Sequence, residues 1–258
     1  MTTRPREETG VKETKGFIVL VDISGYTKFV RSHNAQKIPF IGKQFGKTAD
    51  AHAEHIISDL LEKVITELEG TLTVNKLEGD AVLFYSEPDD LNEYPRLLIE
   101  KIQSSFEVFI NRLTDIIFCQ SCPCDACKQM GNLRLKSFVH YGDFVIKQVS
   151  RFEEIAGENV ILAHRLMKNS INASEYILFT ENVKQICDLD YLGKIENGTE
   201  DCEGMGKIPV SVFYPDSSIL ENQEVKRMGF FKKFGAMNKY FKDIKTKKEL
   251  AEKYAPAI

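Results

Sequence analysis

The sequence predicts an α+β protein, an antiparallel sheet with helices packed on one face. The first observation is the order of the segments, which runs strand, helix, hairpin, helix, hairpin, helix, strand. Strands that follow one another as hairpins are typical of antiparallel sheets, whereas a doubly wound parallel sheet would alternate strand with helix. The second is the composition, 43% apolar and 28% charged over 258 residues, which is that of an ordinary globular protein.

The first half of the chain predicts a strand, two helices and a hairpin. An apolar run predicts the buried strand, and apolar residues at helical spacing from Ala53 to Leu68, followed by Gly70, predict a long helix. Two β-rich runs around Glu78-Gly79-Asp80 predict the hairpin. In chain order we expect a strand at 16–22, a turn entering a helix at 25–31, a loop at 33–48, a helix at 53–68 and a hairpin at 71–85.

The second half of the chain follows from the same patterns. Inward apolar positions from Leu97 to Leu113 predict another long helix. Short apolar runs separated by turn residues predict the strands that follow it. In chain order we expect a helix at 96–117, strands at 133–140 and 143–149, a helix at 157–169, and strands near 175–180 and 207–214.

Charge and hydropathy exclude several classes of protein. The net charge of −4 gives no overall reason to expect nucleic acid as a partner. Residues 1–15 are polar and charged, so we expect a disordered arm and no signal peptide. No run of eighteen apolar residues is present to span a membrane. We therefore expect a cytoplasmic protein with reduced or metal-bound cysteines.

Two carboxylates stand where strands meet turns. Asp22 ends the apolar run of the first strand, and Asp80 lies in the turn of the hairpin, next to Gly79. If the hairpin packs against the first strand, the two side chains come close and repel each other, and a divalent cation would keep both ionised. The alternative is that each aspartate caps a turn, and spacing alone does not decide between these readings.

Three motifs in order resemble the catalytic domain of the class III adenylate and guanylate cyclases. They are DISGYT at 22–27, KLEGD at 76–80 and GENVILAHRL at 157–166. The resemblance covers roughly residues 16–214 and implies a ferredoxin-like sheet. It also implies conversion of a nucleoside triphosphate to a 3′,5′-cyclic nucleotide and pyrophosphate, for signalling.

The resemblance also implies the site residues. Two Mg²⁺ or Mn²⁺ ions would be held by Asp22, Asp80 and the backbone of Ile23, and Arg165 would stabilise charge on the α-phosphate. In the family such sites form at a head-to-tail dimer interface, so we expect a homodimer. The substrate-binding residues implied are Ser24, Gly25, Tyr26 and Thr27 at the triphosphate, and Lys76 and Glu154 near the base.

Two positions depart from the family pattern. Ile161 stands where most cyclases carry an asparagine that orients the ribose, and isoleucine donates no hydrogen bond. Glu154 stands where many adenylate cyclases carry aspartate. The pattern is similar to a bacterial branch of stand-alone cyclase-like proteins, and the base stays open. The alternative function is a degenerate cyclase-fold module that binds nucleotide or a protein partner.

A cysteine cluster and two histidines each have two interpretations. Cys119, Cys122, Cys124 and Cys127 lie in an inserted loop at 119–127, which is either a structural zinc site or a thiol-rich loop. His140 and His164 interrupt apolar runs. They are either general bases or hydrogen-bonded packing residues, and the second interpretation is the more frequent one in such a setting.

The last segment, 215–258, is basic and predicts an amphipathic C-terminal helix. Aromatic residues from Phe230 to Phe241 repeat at helical spacing opposite lysines. Such a helix either packs on its own domain or a dimer mate, or contacts an anionic membrane or another protein. The predicted organisation is thus an arm at 1–15, a cyclase-like domain at 16–214 and a C-terminal extension at 215–258.

Overall fold

A computed structural model describes residues 11–34, 42–119, 129–215 and 242. They form two compact units, each assembled from separated stretches of the chain. The described parts of the first unit are 11–24, 64–107 and 134–215. Those of the second are 25–34, 42–63, 108–119, 129–133 and Lys242. No helix in the described part of the chain is long and apolar enough to cross a membrane.

Eight strands and five helices make up the described structure, with two short 3₁₀ turns at Met130–Asn132 and Asp190–Leu192. The strands are β1 (Val11–Ser24), β2 (Thr73–Glu78), β3 (Ala81–Ser86), β4 (Arg134–Val149), β5 (Phe152–Ala156), β6 (Tyr176–Thr180), β7 (Ile195–Cys202) and β8 (Gly206–Phe213). The helices are α1 (Tyr26–Asn34), α2 (Gly42–Leu68), α3 (Tyr94–Cys119), α4 (Glu158–Leu166) and α5 (Glu181–Ile186).

The strands form one sheet in the first unit, in the order β2-β3-β1-β4-β6-β8-β7, with β5 paired to β4. The predicted α+β class is confirmed. The sheet is mixed and not purely antiparallel, because β4 and β6 run parallel. Helices also contact both faces instead of one. Leu162 of α4 packs in the core that contains Leu20, whereas Tyr94 of α3 contacts Phe17, which points to the opposite face of β1.

Several predicted boundaries are corrected by the structure. β1 begins at Val11, inside the segment predicted as a disordered arm, and pairs with β4 from that residue onward. α2 begins at Gly42, inside the predicted loop at 33–48. The two strands predicted at 133–140 and 143–149 are the single strand β4. The cysteines after Cys119 and the C-terminal extension beyond residue 215, apart from Lys242, lie outside the described residues.

The core of the first unit lies between α4 and the sheet. It contains Leu20, Leu83, Phe138 and Leu178 from neighbouring strands, all almost completely buried. α4 contributes four apolar side chains to it, Val160, Leu162, Ala163 and Leu166. This packing fixes the helix that carries the third motif relative to β1, which carries Asp22, and to β3, which begins directly after Asp80.

β4 has a gap along one edge. Its residues 136–139 pair with β6 and its residues 145–149 pair with β5. Between them, two side-chain amides take the place of a neighbouring strand. Asn182 donates to the carbonyl of Tyr141 at 2.9 Å, and Asn159 donates to the carbonyl of Asp143 at 2.8 Å.

The second unit is held by contacts between α2 and α3. Asp59 is only 7% exposed and accepts two hydrogen bonds from Arg112, at 2.6 Å to Nε and 3.2 Å to Nη2. This two-point geometry is the strongest form of an ion pair between side chains. The unit also contains the turn at Gly25, which has a φ of 93°.

Candidate active site

Asp22 and Asp80 lie at the same end of neighbouring strands. Asp22 lies on β1 directly opposite Ala81 of β3, and Asp80 is the residue before Ala81. The backbone N–H of Ile23 donates to the carbonyl oxygen of Asp80 at 3.0 Å. Gly79 makes the turn between β2 and β3 with a φ of 73°, a conformation that other residues rarely adopt. The antiparallel register therefore brings the two aspartates of the first two motifs together.

The environment of Asp22 disfavours its ionised form. Burial, first, and then the negative charge of Asp80 raise the pKa of Asp22 from 3.8 to about 6. Lys136, directly opposite Asp22 on β4, has the reverse effect and is too weak to cancel the other two. The two carboxylates are thus close enough to interact and are held partly out of water.

This donor set fits a divalent cation. Mg²⁺ and Mn²⁺ prefer carboxylate and carbonyl oxygens. A cation between Asp22 and Asp80 would remove the repulsion between them, which contributes with burial to the raised pKa of Asp22. The described residues contain no group of three or more His, Cys, Asp or Glu side chains arranged to hold a metal. Any further ligands at the aspartate pair would therefore be backbone carbonyls, water or the oxygens of a bound phosphate.

Lys136 is a charged neighbour of this pair that the motifs did not indicate. Its Nζ lies 5.1 Å from the ring centroid of Tyr176, the residue opposite it on β6. The sequence indicates this residue only by its position in the apolar strand β4, because a half-buried lysine is usually paired with a negative charge. Its positive charge, directly opposite Asp22, favours the ionised form of that buried carboxylate.

The turn after β1 lies in the second unit from Gly25 onward. A Cβ at Gly25 would lie 3.2 Å from the carbonyl oxygen of Asn132, closer than an ordinary contact, and the φ of 93° also disfavours any residue other than glycine. α1 begins at Tyr26, and the N–H of Phe29 donates to the carbonyl of Gly25 at 3.0 Å. The Tyr26 hydroxyl donates to Glu54 at 2.8 Å. Ser24, at the end of β1, and Thr27, in α1, are the other two residues predicted to bind the triphosphate.

A cleft of about 620 Å³ lies in the first unit between β2, β5 and α4. It brings Lys76 and Arg165, two of the predicted site residues, together with Ile161. Ile161 is 55% exposed and presents an apolar side chain to this cleft. The other lining residues are Glu78, Ile155, Ala156, Gly157, Val160, His164 and Lys168.

Glu78 is bound by two residues of the cleft. Lys76 Nζ lies 2.9 Å from its Oε1, and His164 Nε2 lies 3.2 Å from each of its carboxylate oxygens. Burial on its own would raise the pKa of Glu78, but the hydrogen bonds from Lys76 and His164 outweigh it and hold the pKa below its usual value. Glu78 is therefore an ionised carboxylate that links β2 to α4.

Arg165 and the two histidines are placed as follows. Arg165 is half-exposed and donates to Glu203, in the turn between β7 and β8, at 2.7 Å. His164 donates to the carbonyl of Val160 at 2.8 Å as well as contacting Glu78. His140 is almost fully buried and contacts Thr180 and Asn159, each at 2.9 Å. The interpretation as hydrogen-bonded packing residues is thus confirmed for His140, whereas His164 lines the cleft.

Glu154, which the resemblance places near the base, is not one of the residues that line this cleft. Successive side chains of a strand point to opposite faces, and Ile155 packs in the core with Val160 of α4, which also lines the cleft. Glu154 therefore points to the other face, where it lies opposite Lys147 with 3.9 Å between the charged atoms. Glu153 is on the same face of β5 as Ile155 and accepts a hydrogen bond from Tyr85 at 2.7 Å.

The fold is that of the catalytic domains of class III adenylyl and guanylyl cyclases. The adenylyl cyclase CyaB from P. aeruginosa is 13% identical, with a TM-score of 0.57 over 85% of this chain and 99% of its own. The guanylate cyclase domain of RhGC from Catenaria anguillulae, solved in complex with GTP, is 13% identical. Its TM-score is 0.52 over 78% of this chain and 97% of its own.

The chain belongs to the same family as the uncharacterized protein Rv2561/Rv2562 of Mycobacterium tuberculosis (strain ATCC 25618 / H37Rv). The two sequences are 33% identical over 151 residues, which is 58% of this chain and 69% of the mycobacterial protein. Residues 57–176 also match the family described as "Protein of unknown function (DUF2652)". That range contains Asp80, the turn of the hairpin and the whole of α4.

Proposed function

We propose that the protein is a nucleotidyl cyclase, which converts a nucleoside triphosphate to a 3′,5′-cyclic nucleotide and pyrophosphate. The observation that carries this proposal is the Asp22–Asp80 pair, two interacting carboxylates at the end of adjacent strands. A structural turn cap needs one aspartate that accepts backbone N–H groups. It does not need a second carboxylate whose charge raises the pKa of the first.

Asp22, Asp80 and the carbonyl of Ile23 would hold Mg²⁺ or Mn²⁺. When bound, such ions neutralise the charge of the triphosphate and lower the pKa of the ribose 3′-hydroxyl. The backbone N–H groups of the turn at 24–27 would bind phosphate oxygens, since consecutive amides in a glycine turn form a concave site for anions. Lys76 would lie near the base.

Arg165 would stabilise the negative charge that develops on the α-phosphate as the ribose oxygen attacks. Its guanidinium contacts Glu203, an 86% exposed side chain, so the ion pair is weak and an incoming phosphate can replace it. We further propose a homodimer in which Asp22 and Asp80 of one protomer act with Arg165 of its partner. The arginine is then presented on the surface for the second copy.

Products formed from an equal mixture of ATP, GTP, CTP and UTP with Mn²⁺ test the proposal. Mass spectrometry should detect at least one cyclic nucleotide, and Asp22→Asn should lower its yield by about a hundredfold or more. Asp115→Asn, which changes an exposed aspartate of α3, is the matched control and should leave the yield unchanged. The absence of any cyclic product would exclude the proposal, as would equal yields from the wild type and Asp22→Asn.

Dimer function has its own test. Asp22→Asn and Arg165→Ala should each be inactive alone, and mixing them should restore activity, because one composite site then has both residues. Mixed variants that stay inactive, although gel filtration shows a dimer, would contradict the shared site.

A second candidate function is a cyclase-fold module that binds a nucleotide or a protein without turnover. The exposed Ile161 favours it, since this side chain replaces a hydrogen-bonding amide in the cleft. Calorimetry with an α,β-methylene triphosphate beside the product assay separates the two functions. Binding without any cyclic product selects the module.

A further inference from the structure

We propose that Glu78 is a base-contacting, specificity-determining residue of the nucleotide site, and that His164 is the positioning residue that holds it. This inference rests on the proposed function. It assigns to Glu78 the role that the motif gave to Glu154.

The first argument is the position of Glu78. It is the last residue of β2, and its carboxylate lines the cleft of about 620 Å³ together with Lys76. Its side chain is 27% exposed, so it is sheltered on most sides and still open to a ligand. Glu154, which the motif placed near the base, lies on the opposite face of β5 and pairs with Lys147.

The second argument is the hydrogen-bonding capacity of the carboxylate. Its two oxygens offer about four acceptor positions. Oε1 accepts from Lys76, and both carboxylate oxygens lie 3.2 Å from Nε2 of His164, which donates to them when the imidazole carries both protons. In the described part of the chain, His164 is the contact given for Oε2. Oε2 thus has an acceptor position left toward the cleft, beside the ammonium group of Lys76, which is a donor.

The third argument is that His164 fixes this carboxylate. The Nδ1–H group donates to the carbonyl of Val160 within α4, which sets the ring plane and directs Nε2 at Glu78. Since α4 is packed into the core, the helix that carries the ring is fixed, and the hydrogen bond to Val160 holds the ring against that helix. An acceptor held by a rigid element in this way can discriminate between ligands.

The fourth argument is the remaining wall of the cleft. Ile155, Val160 and Ile161 provide an apolar side, and Arg165 and Lys168 provide positive charge. A ligand that fits has a flat ring for the apolar wall and an anionic part for the cations. Its ring edge carries an N–H donor for Glu78 next to an acceptor for Lys76. A nucleobase on a nucleotide has all three.

The experiment compares pairs of nucleotides that differ by one N–H donor. ATP is compared with purine riboside triphosphate, which lacks the amino group, and GTP with 1-methyl-GTP, which lacks the ring N–H. Affinities are measured by competition against a fluorescent α,β-methylene nucleotide. In the wild type, at least one pair should differ by about 10- to 100-fold, the usual effect of a hydrogen bond to a charged group.

Glu78→Gln should abolish most of this difference, and Glu154→Gln, the matched control on the other face of β5, should preserve it. Glu78→Asp, which keeps the charge and withdraws the acceptor, should lose part of it and serves if Glu78→Gln fails to fold. His164→Asn should reduce the difference in the wild-type background and have no further effect on it in Glu78→Gln.

The outcomes separate the two proposals. If no triphosphate binds to the wild type, the proposed function fails. If triphosphates bind and neither pair differs, or the difference survives in Glu78→Gln, the assignment of Glu78 is wrong while the proposed function stands. A loss of discrimination in Glu154→Gln and not in Glu78→Gln would restore the role that the motif implied.

Discussion

Replacing Asp22 with asparagine should stabilise the metal-free protein above pH 6 and have little effect near pH 4. Burial, then the charge of Asp80, raises the pKa of Asp22 from 3.8 to about 6. In the unfolded chain the carboxyl group of Asp22 has a pKa near 3.8. Between pH 3.8 and about pH 6, the folded protein therefore holds a proton that the unfolded chain has released. Stability therefore falls as pH rises through this window.

The size of the expected stabilisation follows from the rise in the pKa of Asp22 from 3.8 to about 6. Each unit corresponds to about 1.4 kcal/mol, so the ionised Asp22 costs the metal-free fold about 3 kcal/mol at pH 8. Asparagine has nearly the same shape and stays neutral, so Asp22→Asn should gain up to this amount. In a protein of this size that is an increase in melting temperature of about 6–12 °C.

Thermal unfolding followed by circular dichroism at pH 4 and pH 8, with a chelator present, measures the effect. Asp115→Asn should match the wild type at both values of pH, because its side chain is exposed on α3. The reasoning is refuted if Asp22→Asn melts at or below the wild-type temperature at pH 8. A shift of equal size at pH 4 and pH 8 refutes it as well.

Three further predictions concern metal binding and packing. At pH 8, saturating Mn²⁺ should raise the melting temperature of the wild type and not of Asp80→Asn, because the ion binds the folded state; equal increases would contradict the metal site. Arg112→Ala should cost about 3 kcal/mol in urea unfolding, since it removes the guanidinium that meets the buried Asp59; a cost near zero would argue against that ion pair. Gly142→Ala would place a Cβ 2.6 Å from Nδ2 of Asn159 and should lower the free energy of unfolding by about 1–3 kcal/mol. Gly198→Ala, whose Cβ would lie 3.9 Å from Val210, should lower it little. Equal effects of the two substitutions would disprove the close contact at Gly142.

The elements that the sequence predicted well have strong local signals. The hairpin around Gly79 was predicted with its turn in the right place, because two β-rich runs flank residues that favour a turn. The long helices around Leu60 and Phe106 were predicted from apolar spacing. These signals were enough to bring Asp22 and Asp80 together, since a hairpin that pairs with the first strand in an antiparallel register leaves little freedom.

The strands that the sequence missed owe their structure to partners. β7 is mostly exposed and polar, with the sequence IENGTEDC, and it is a strand because all eight residues pair with β8. β5 is short and contains two glutamates, and its strand conformation comes from pairing with β4. Neither carries the apolar alternation by which a strand is recognised from sequence.

Dependence on distant partners also explains why the positions of Glu78 and Glu154 could not be predicted from the sequence. Whether Glu154 or its neighbour faces the cleft depends on the register of β5 against β4, and a shift of one residue exchanges the faces. Spacing from Gly157 cannot supply that register. Glu78 was assigned to the turn, and its partner His164 is 86 residues away in sequence, so no local pattern connects them.

The gap in β4 has a consequence for local unfolding. Across residues 140–144, side-chain amides of Asn159 and Asn182 stand where β6 and β5 supply backbone hydrogen bonds on either side. Side-chain partners can rotate away one at a time, whereas a strand must separate along its length. Backbone amides that border this stretch are therefore expected to exchange with solvent sooner than those of the paired parts of β4, and Asn159 links that opening to the helix that carries Arg165.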